Sequence, residues 1–322
     1  MKQLIIAERA CLIGHLVSMA FGLAGLLLVM PHPEFLQHIP AGETLFSWSM
    51  AGGGVMYIVL GTIAVGLYAY RTLGLQNLLL FMVPAIAISL GSELLGTGTG
   101  FPFGEYSYLS GLGYKIAGRV PFTIPLSWFY LGLSSYLLAR SGLAPRPSEA
   151  GFSETGSSET SPDGSGILWL RRLGAIFLGS LLLTSWDFVL DPAMSQTAMP
   201  FWYWHQPGPF FGMPYQNFAG WLGTGVVFIG IAALLWRGRV AIQHQSQLTL
   251  PLAVYLGNFG FAMVMSMAAG FWVPILLGIL LGVVPAVLCW QQSKFNSTGG
   301  IGTDLDVVAP TMPEPAGVSG RQ

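Results

Sequence analysis

LLLFMVPAIAISLGSELL, residues 78–95, holds a single ionisable side chain, Glu93, in an otherwise apolar run. At about 1.5 Å per residue a helix of that length rises roughly 27 Å, close to the ~30 Å hydrocarbon core of a bilayer. A helix at a protein surface in water keeps one face polar, and this run has no such face. It reads as a transmembrane helix.

Seven further runs share its character: Cys11–Met30, Phe46–Tyr70, Val120–Ala139, Leu173–Leu190, Phe218–Trp236, Leu250–Ala268 and Phe271–Trp290. Only Ala269 and Gly270 separate the last two, which make either a tight hairpin or one broken element. The whole chain of 322 residues is 53% hydrophobic and 8% charged, against about 25% charged in soluble domains. That is too little charge to cover a water-facing surface. The predicted fold class is an all-α integral membrane protein, a polytopic bundle of about eight transmembrane helices forming a single membrane domain over 1–322. Barrel strands need alternation over about ten residues, which these runs lack. The first run is kept as a helix because Val29-Met30-Pro31 offers no small-residue cleavage site. Cys11 and Cys289 lie in apolar runs and read as packed thiols.

Cytoplasmic loops hold the excess of Lys and Arg. Alternating eight spans puts Lys2, Arg9, Arg71, Arg140, Arg146, Arg171, Arg172, Arg237, Arg239, Lys294 and Arg321 on one side. Lys115 and Arg119 alone fall on the other. Both termini are therefore predicted to be cytoplasmic. Ser141–Gly166 and Asn296–Gln322 are rich in Ser, Gly, Pro and Glu and poor in apolar residues. They are expected to be a disordered cytoplasmic loop and a disordered C-terminal tail.

An ionisable residue inside a membrane helix is costly and marks function by default. Glu93, Asp187 and Asp191 are such groups. Asp187 and Asp191 stand four apart and share a helix face. In the alternating topology all three lie near the outer boundary. There they adjoin two aromatic loops, Gly96 to Tyr108 and the stretch holding Trp202-Tyr203-Trp204-His205. Two blander readings stay open: Glu93 pairs with Arg119, and the Trp202–Trp204 cluster belongs to an interfacial aromatic belt. His15 and Asn258 are expected to bond across helices. His205 reads as a solvated loop residue or a proton shuttle. No Gly-rich loop precedes a Lys-Ser or Lys-Thr, and no basic patch is present, so neither nucleotide nor nucleic acid is an expected partner.

Glu93 followed by Thr99 to Tyr108, then Pro121 to Trp128, Asp187-Phe188-Val189-Leu190-Asp191-Pro192 and Pro214 to Trp221 resembles the CruF-type membrane carotenoid hydratases. That family includes gamma-carotene 1′,2′-hydratases and bisanhydrobacterioruberin hydratases, and the likeness runs over about Leu78–Trp236. The resemblance implies addition of water to the terminal double bond of an acyclic carotenoid end group, giving a tertiary alcohol. The scarcity, shared face and shared depth of Asp187, Asp191 and Glu93 make them the expected catalytic acids, and the family-like motifs place Tyr106, Tyr108, Asn217, Trp221 and Phe103 around the substrate. A carotenoid within the bilayer is the implied partner, and other carotenoid-pathway enzymes are candidate protein partners. No redox or organic cofactor is implied, and no metal site is expected.

Elementary chemistry suits that reading. Hydrating a trisubstituted alkene needs a strong proton donor, because a carbocation must form. Carboxylic acids in apolar surroundings can keep a proton at neutral pH, and neighbouring carboxyls divide into acid and base. Aromatic faces stabilise a cation by roughly 0.5–2 kcal/mol each. Other classes fit less well. A diphosphate-dependent prenyltransferase needs two Asp-rich magnesium clusters, and only one Asp-x-x-x-Asp occurs. Coupled transporters bind near the midplane, away from these acids. A carotenoid cyclase and a pigment-binding protein remain alternatives that product analysis separates.

The topology makes a direct expectation. In a background lacking Cys11 and Cys289, single cysteines at Ser153 and Ser195 should be labelled from opposite sides of the membrane. Labelling of both from one side would overturn the eight-span arrangement.

Overall fold

The computed structural model describes residues 2–145, 162–197, 199–236 and 245–298. Its helices are α1 (Lys2–Ala24), α2 (Gly42–Leu73), α3 (Leu75–Thr99), α4 (Thr123–Gly142), α5 (Pro162–Ser195), α6 (Tyr215–Trp236), α7 (Thr249–Ala268), α8 (Trp272–Gly278) and α9 (Val284–Thr298). A π-helical turn, Gly25–Val29, extends α1, and another, Ile279–Val283, joins α8 to α9. Four short strands, β1 (Tyr106–Tyr108), β2 (Lys115–Ile116), β3 (Val120–Pro121) and β4 (Trp202–Trp204), lie in the connections. The protein is an all-α polytopic membrane protein.

Among the described residues, seven helical segments are long and apolar enough to cross a bilayer. The eighth expected span, Val120–Ala139, is the exception, and its position explains why. Val120 and Pro121 leave the helix and pair with Lys115 and Ile116 as a two-stranded ribbon. The rest is α4, whose 20 residues are all buried except Ile124, Leu126 and Arg140. It packs against α2, α3, α5, α6, α7 and α9. Lipid demands apolarity only of what touches lipid. Covered on every side, α4 carries Ser127, Ser134, Ser135, Tyr130 and Tyr136 in its buried surface.

Several boundaries move outward. Helix α1 starts at Lys2 and so includes Glu8, whose carboxylate accepts both Nε (2.9 Å) and Nη2 (3.0 Å) of Arg71 from α2. A bidentate pair suits a charge buried between helices. Helix reaches Gly142 and resumes at Pro162, and α9 continues to Thr298, so the edges of both segments expected to be disordered are helical. Residues 146–161 and 299–322 of those segments lie outside the described residues, as does Ser153. The last two spans form a hairpin. Phe271 N–H bonds Ser266 O (2.8 Å) at the turn, and Gln245, in the 3₁₀ turn that leads into α7, bonds Trp290 O (3.0 Å) in α9.

His15 and Asn258 do bond across helices. Asn258 Nδ2 donates to His15 Nε2 (3.0 Å), which leaves the ring hydrogen on Nδ1, facing Tyr57 O at 2.7 Å. Tyr130 donates its hydroxyl to Asn258 Oδ1 (2.9 Å), and the Trp186 indole donates to Asn258 O (3.1 Å). The side-chain amide of Asn258 thus ties α7 to α1 and α4, and its backbone carbonyl ties α7 to α5. Replacing the amide by an apolar side chain of the same branching, Asn258→Leu, should leave His15 Nε2 and the Tyr130 hydroxyl without partners. We expect a loss of about 1–3 kcal/mol, read as a lower unfolding midpoint of the purified protein in detergent. An unchanged midpoint would mean that water replaces the amide.

Candidate active site

The site is assembled at the bundle end where the connections 100–122 and 196–214 meet. Helix α3 stops at Gly100, whose φ of +79° favours glycine, and its N–H closes the helix on Gly96 O (2.9 Å). The chain then turns into β1, which pairs antiparallel with β4: Tyr106 opposite Trp204, Ser107 opposite Tyr203, Tyr108 opposite Trp202. Side chains alternate across a strand. Both Tyr106 and Tyr108, and both Trp202 and Trp204, turn toward the bundle. Ser107 instead meets exposed His205 (Oγ to Nε2, 2.9 Å) on the far side.

This alternation provides neutral donors to buried acids. Glu93, on α3, accepts at Oε2 from the Tyr106 and Tyr108 hydroxyls (the latter 2.9 Å) and at Oε1 from the Trp128 indole of α4 (3.0 Å). Asp191, on α5, accepts at Oδ1 from Trp202 (2.8 Å) and Trp204 (3.0 Å) and at Oδ2 from Asn217 Nδ2 (3.2 Å). The same Asn217 amide, from α6, reaches Asp187 Oδ2 at 2.7 Å. Among the described residues no donor meets Asp187 Oδ1. The three acids are 2%, 2% and 3% exposed for Glu93, Asp187 and Asp191, and among the described residues no cation pairs with them. Arg119 therefore does not play the part considered for it. Nor is Trp202–Trp204 only an interfacial belt, because its indoles bind Asp191. Burial first, and the neighbouring Glu93 carboxyl second, hold the Tyr106 and Tyr108 phenols well above their ordinary values. Both stay protonated, and so remain donors, across the physiological range.

All three acids line one cavity. The cavity leaves about 60 Å³ open to the centre of a water molecule, several times the ~10–15 Å³ that one water needs. Its walls are aromatic. Trp128 and Trp221 stack at 3.9 Å between centroids and 17° between planes, and Trp186 meets Trp221 edge-on. Phe103 is wedged between α3 and α6. A Cβ at Gly96 would lie 2.7 Å from its ring, and one at Gly220 would meet the same ring and Pro102 O (2.8 Å).

The residues singled out in the sequence, Glu93, Asp187, Asp191, Phe103, Tyr106, Tyr108, Asn217 and Trp221, all border this cavity. His205 does not. Sequence reasoning gave no site role to Trp128, Trp186, Trp202 or Trp204, all in the wall. A signal for the last two existed: Tyr106-Ser107-Tyr108 and Trp202-Tyr203-Trp204 both have the strand's period of two. Among the described residues, no group of three or more His, Cys, Asp or Glu side chains is arranged to hold a metal. Chemically, the arrangement is a pair of linked carboxyls facing a small water-sized space between indole faces.

The family described as carotenoid biosynthesis protein matches residues 53–285, a stretch holding all three acids and both strands of the ribbon. A bisanhydrobacterioruberin hydratase of Haloarcula japonica is 36% identical over 150 residues, which are 47% of this chain and 43% of that relative. The match thus spans less than half the length of the curated relative. No solved structure matches the chain.

With its acceptors facing donors on both sides, Glu93 holds the ribbon to α3 and α4. Glu93→Gln leaves one oxygen to accept: placed on Trp128 it strips both phenol hydrogens of their acceptor, and turned the other way it sets the amide NH₂ against the Trp128 N–H. That should cost about 1–3 kcal/mol, seen as a lowered unfolding midpoint, whereas Glu105→Gln on the exposed turn leaves the midpoint in place. Equal midpoints for both variants would remove Glu93 from its anchoring role.

Proposed function

This chain belongs to the carotenoid biosynthesis protein family, and we propose that it is a hydratase adding water to the terminal double bond of an acyclic carotenoid end group. The observation that carries the reading is the Asp187–Asp191 pair bridged by Asn217 in an aromatic cavity with room for water. The hydratase of Haloarcula japonica that this chain resembles points to the same chemistry. The specific reaction is hydration of the 1′,2′ bond, as in gamma-carotene to 1′-hydroxy-gamma-carotene. The site end faces the exterior and both termini are cytoplasmic, as the distribution of basic residues favours.

The acids take different parts. Asp187, with one oxygen unoccupied by donors, delivers its proton to the less substituted alkene carbon. A C–H bond forms, the π bond breaks, and the charge settles on the tertiary carbon. The faces of Trp128, Trp186 and Trp221 stabilise that cation by roughly 0.5–2 kcal/mol each. A water held by Asn217 Oδ1, which accepts no bond among the described residues, adds to the cation. Its surplus proton passes to Asp191 and returns through a second water to Asp187, so one water is consumed. Glu93 positions Tyr106, Tyr108 and Trp128 around the reacting carbon.

Expression in a host that accumulates carotenoids with acyclic ends should yield product heavier by one water. A positioned acid contributes about 10²–10⁴-fold, so Asp187→Asn and Asp191→Asn should each cut the hydroxylated product by that order while membrane levels persist. Glu105→Gln, distant from the cavity, should retain activity. Normal product from both aspartate variants would overturn the assignment, and a cyclised product would replace hydration by cyclisation.

A further inference from the structure

A second cavity lies against the first, between α1, α2 and α7. It shares Tyr57, Leu112, Leu190 and Trp202 with the acid cavity and leaves about 50 Å³ open to the centre of a water molecule. The two spaces differ sharply in chemistry. The first carries three carboxyls, whereas no Asp, Glu, Lys, Arg or His lines the second. On α1 and α2 small residues, Ser18, Gly22, Ser49, Gly53 and Gly54, alternate with the larger Met19 and Tyr57 in its wall. A Cβ added at Gly22 meets no atom within 4 Å, so the space beside it is open. Just beyond, α1 widens into the π-helical turn Gly25–Val29, from which Leu26 joins the lining. Such turns within helices gather at functional sites.

We infer that this second cavity receives the conjugated chain of the substrate, so that α1 and α2 form a polyene groove leading out of the acid site. The inference rests on the hydratase reading above. A conjugated chain is stiff and cannot coil inside a space that admits only a few waters. Once an end group sits between Asp187 and Trp221, the rest must leave in line through an adjoining apolar space. Tyr57, Leu112, Leu190 and Trp202 form the constriction where end group passes into chain. Trp202 serves both sides, donating to Asp191 while its ring walls the groove. Ser18, Met19, Gly22, Leu26 and Ser49 of the groove's lining lie ahead of the stretch at 53–285 matched by the family, and the rest of the lining lies within it.

The test uses the full chain in lipid nanodiscs with two substrates. One is an acyclic-ended carotenoid, and the other is a short isoprenoid alkene with the same end group that cannot reach past Tyr57. Gly22→Phe fills the groove from α1, and Gly53→Leu fills it from α2, where an added Cβ makes only ordinary contact with Ser49 (3.5 Å). Misplacing a substrate costs on the order of 10²-fold. Carotenoid hydration should fall by that order in both variants while the short alkene is hydrated as by wild type. Tryptophan quenching by the bound carotenoid should weaken in parallel. Equal loss on both substrates, or no loss on either, overturns the groove. If wild type hydrates neither substrate, the hydratase reading falls, and quenching decides the groove: it stands if both variants abolish the wild-type signal and fails otherwise.

Discussion

Three carboxyl groups buried in a helical bundle with no cation beside them must find hydrogen-bond donors among neutral side chains. A buried polar group left unmatched costs several kcal/mol, and a charge in hydrocarbon costs more. Here the donors are two phenols, three indoles and one amide. They arrive from α4, α6 and both strands of the ribbon. Much of the architecture at this end follows from bringing those six groups to α3 and α5. The ribbon is too short to be stable alone, and its side chains hold it in place by bonding into the helices beneath.

Indole and phenol donors bring a second property. Each presents an N–H or O–H at its edge and a π face beside it. Trp128 bonds Glu93 while stacking on Trp221, and Trp202 bonds Asp191 while walling two cavities. Satisfying the acids therefore builds a cavity whose surfaces suit both hydrocarbon and positive charge. Lysine or arginine would satisfy the same carboxyls but would place a cation where the proposed hydration must create one.

The central position of α4 makes the arrangement stiff. Buried nearly throughout, it holds Trp128 under the site and, two residues on, Tyr130 in the His15–Asn258 network. Trp186 joins the two regions, lining the cavity and donating to Asn258 O.

Much of this was legible in the residues themselves. Bilayer thickness sets the length of each apolar run, so the long apolar helices, and the places of Glu93, Asp187 and Asp191 toward one end of theirs, could be read by counting. The spacing of four that puts Asp187 and Asp191 on one face is likewise a property of the helix alone. Helix α4 was legible as a span, but its central place was not, because nothing local distinguishes a helix covered by protein from one half-covered by lipid. The donors to the acids were hidden for a related reason. Tyr106 meets Trp204 across almost a hundred residues, and His15 meets Asn258 across most of the chain. Local chain geometry determines period, length and depth. Which distant donor satisfies which buried acceptor is decided only when the helices pack and every polar group excluded from water must be matched at once.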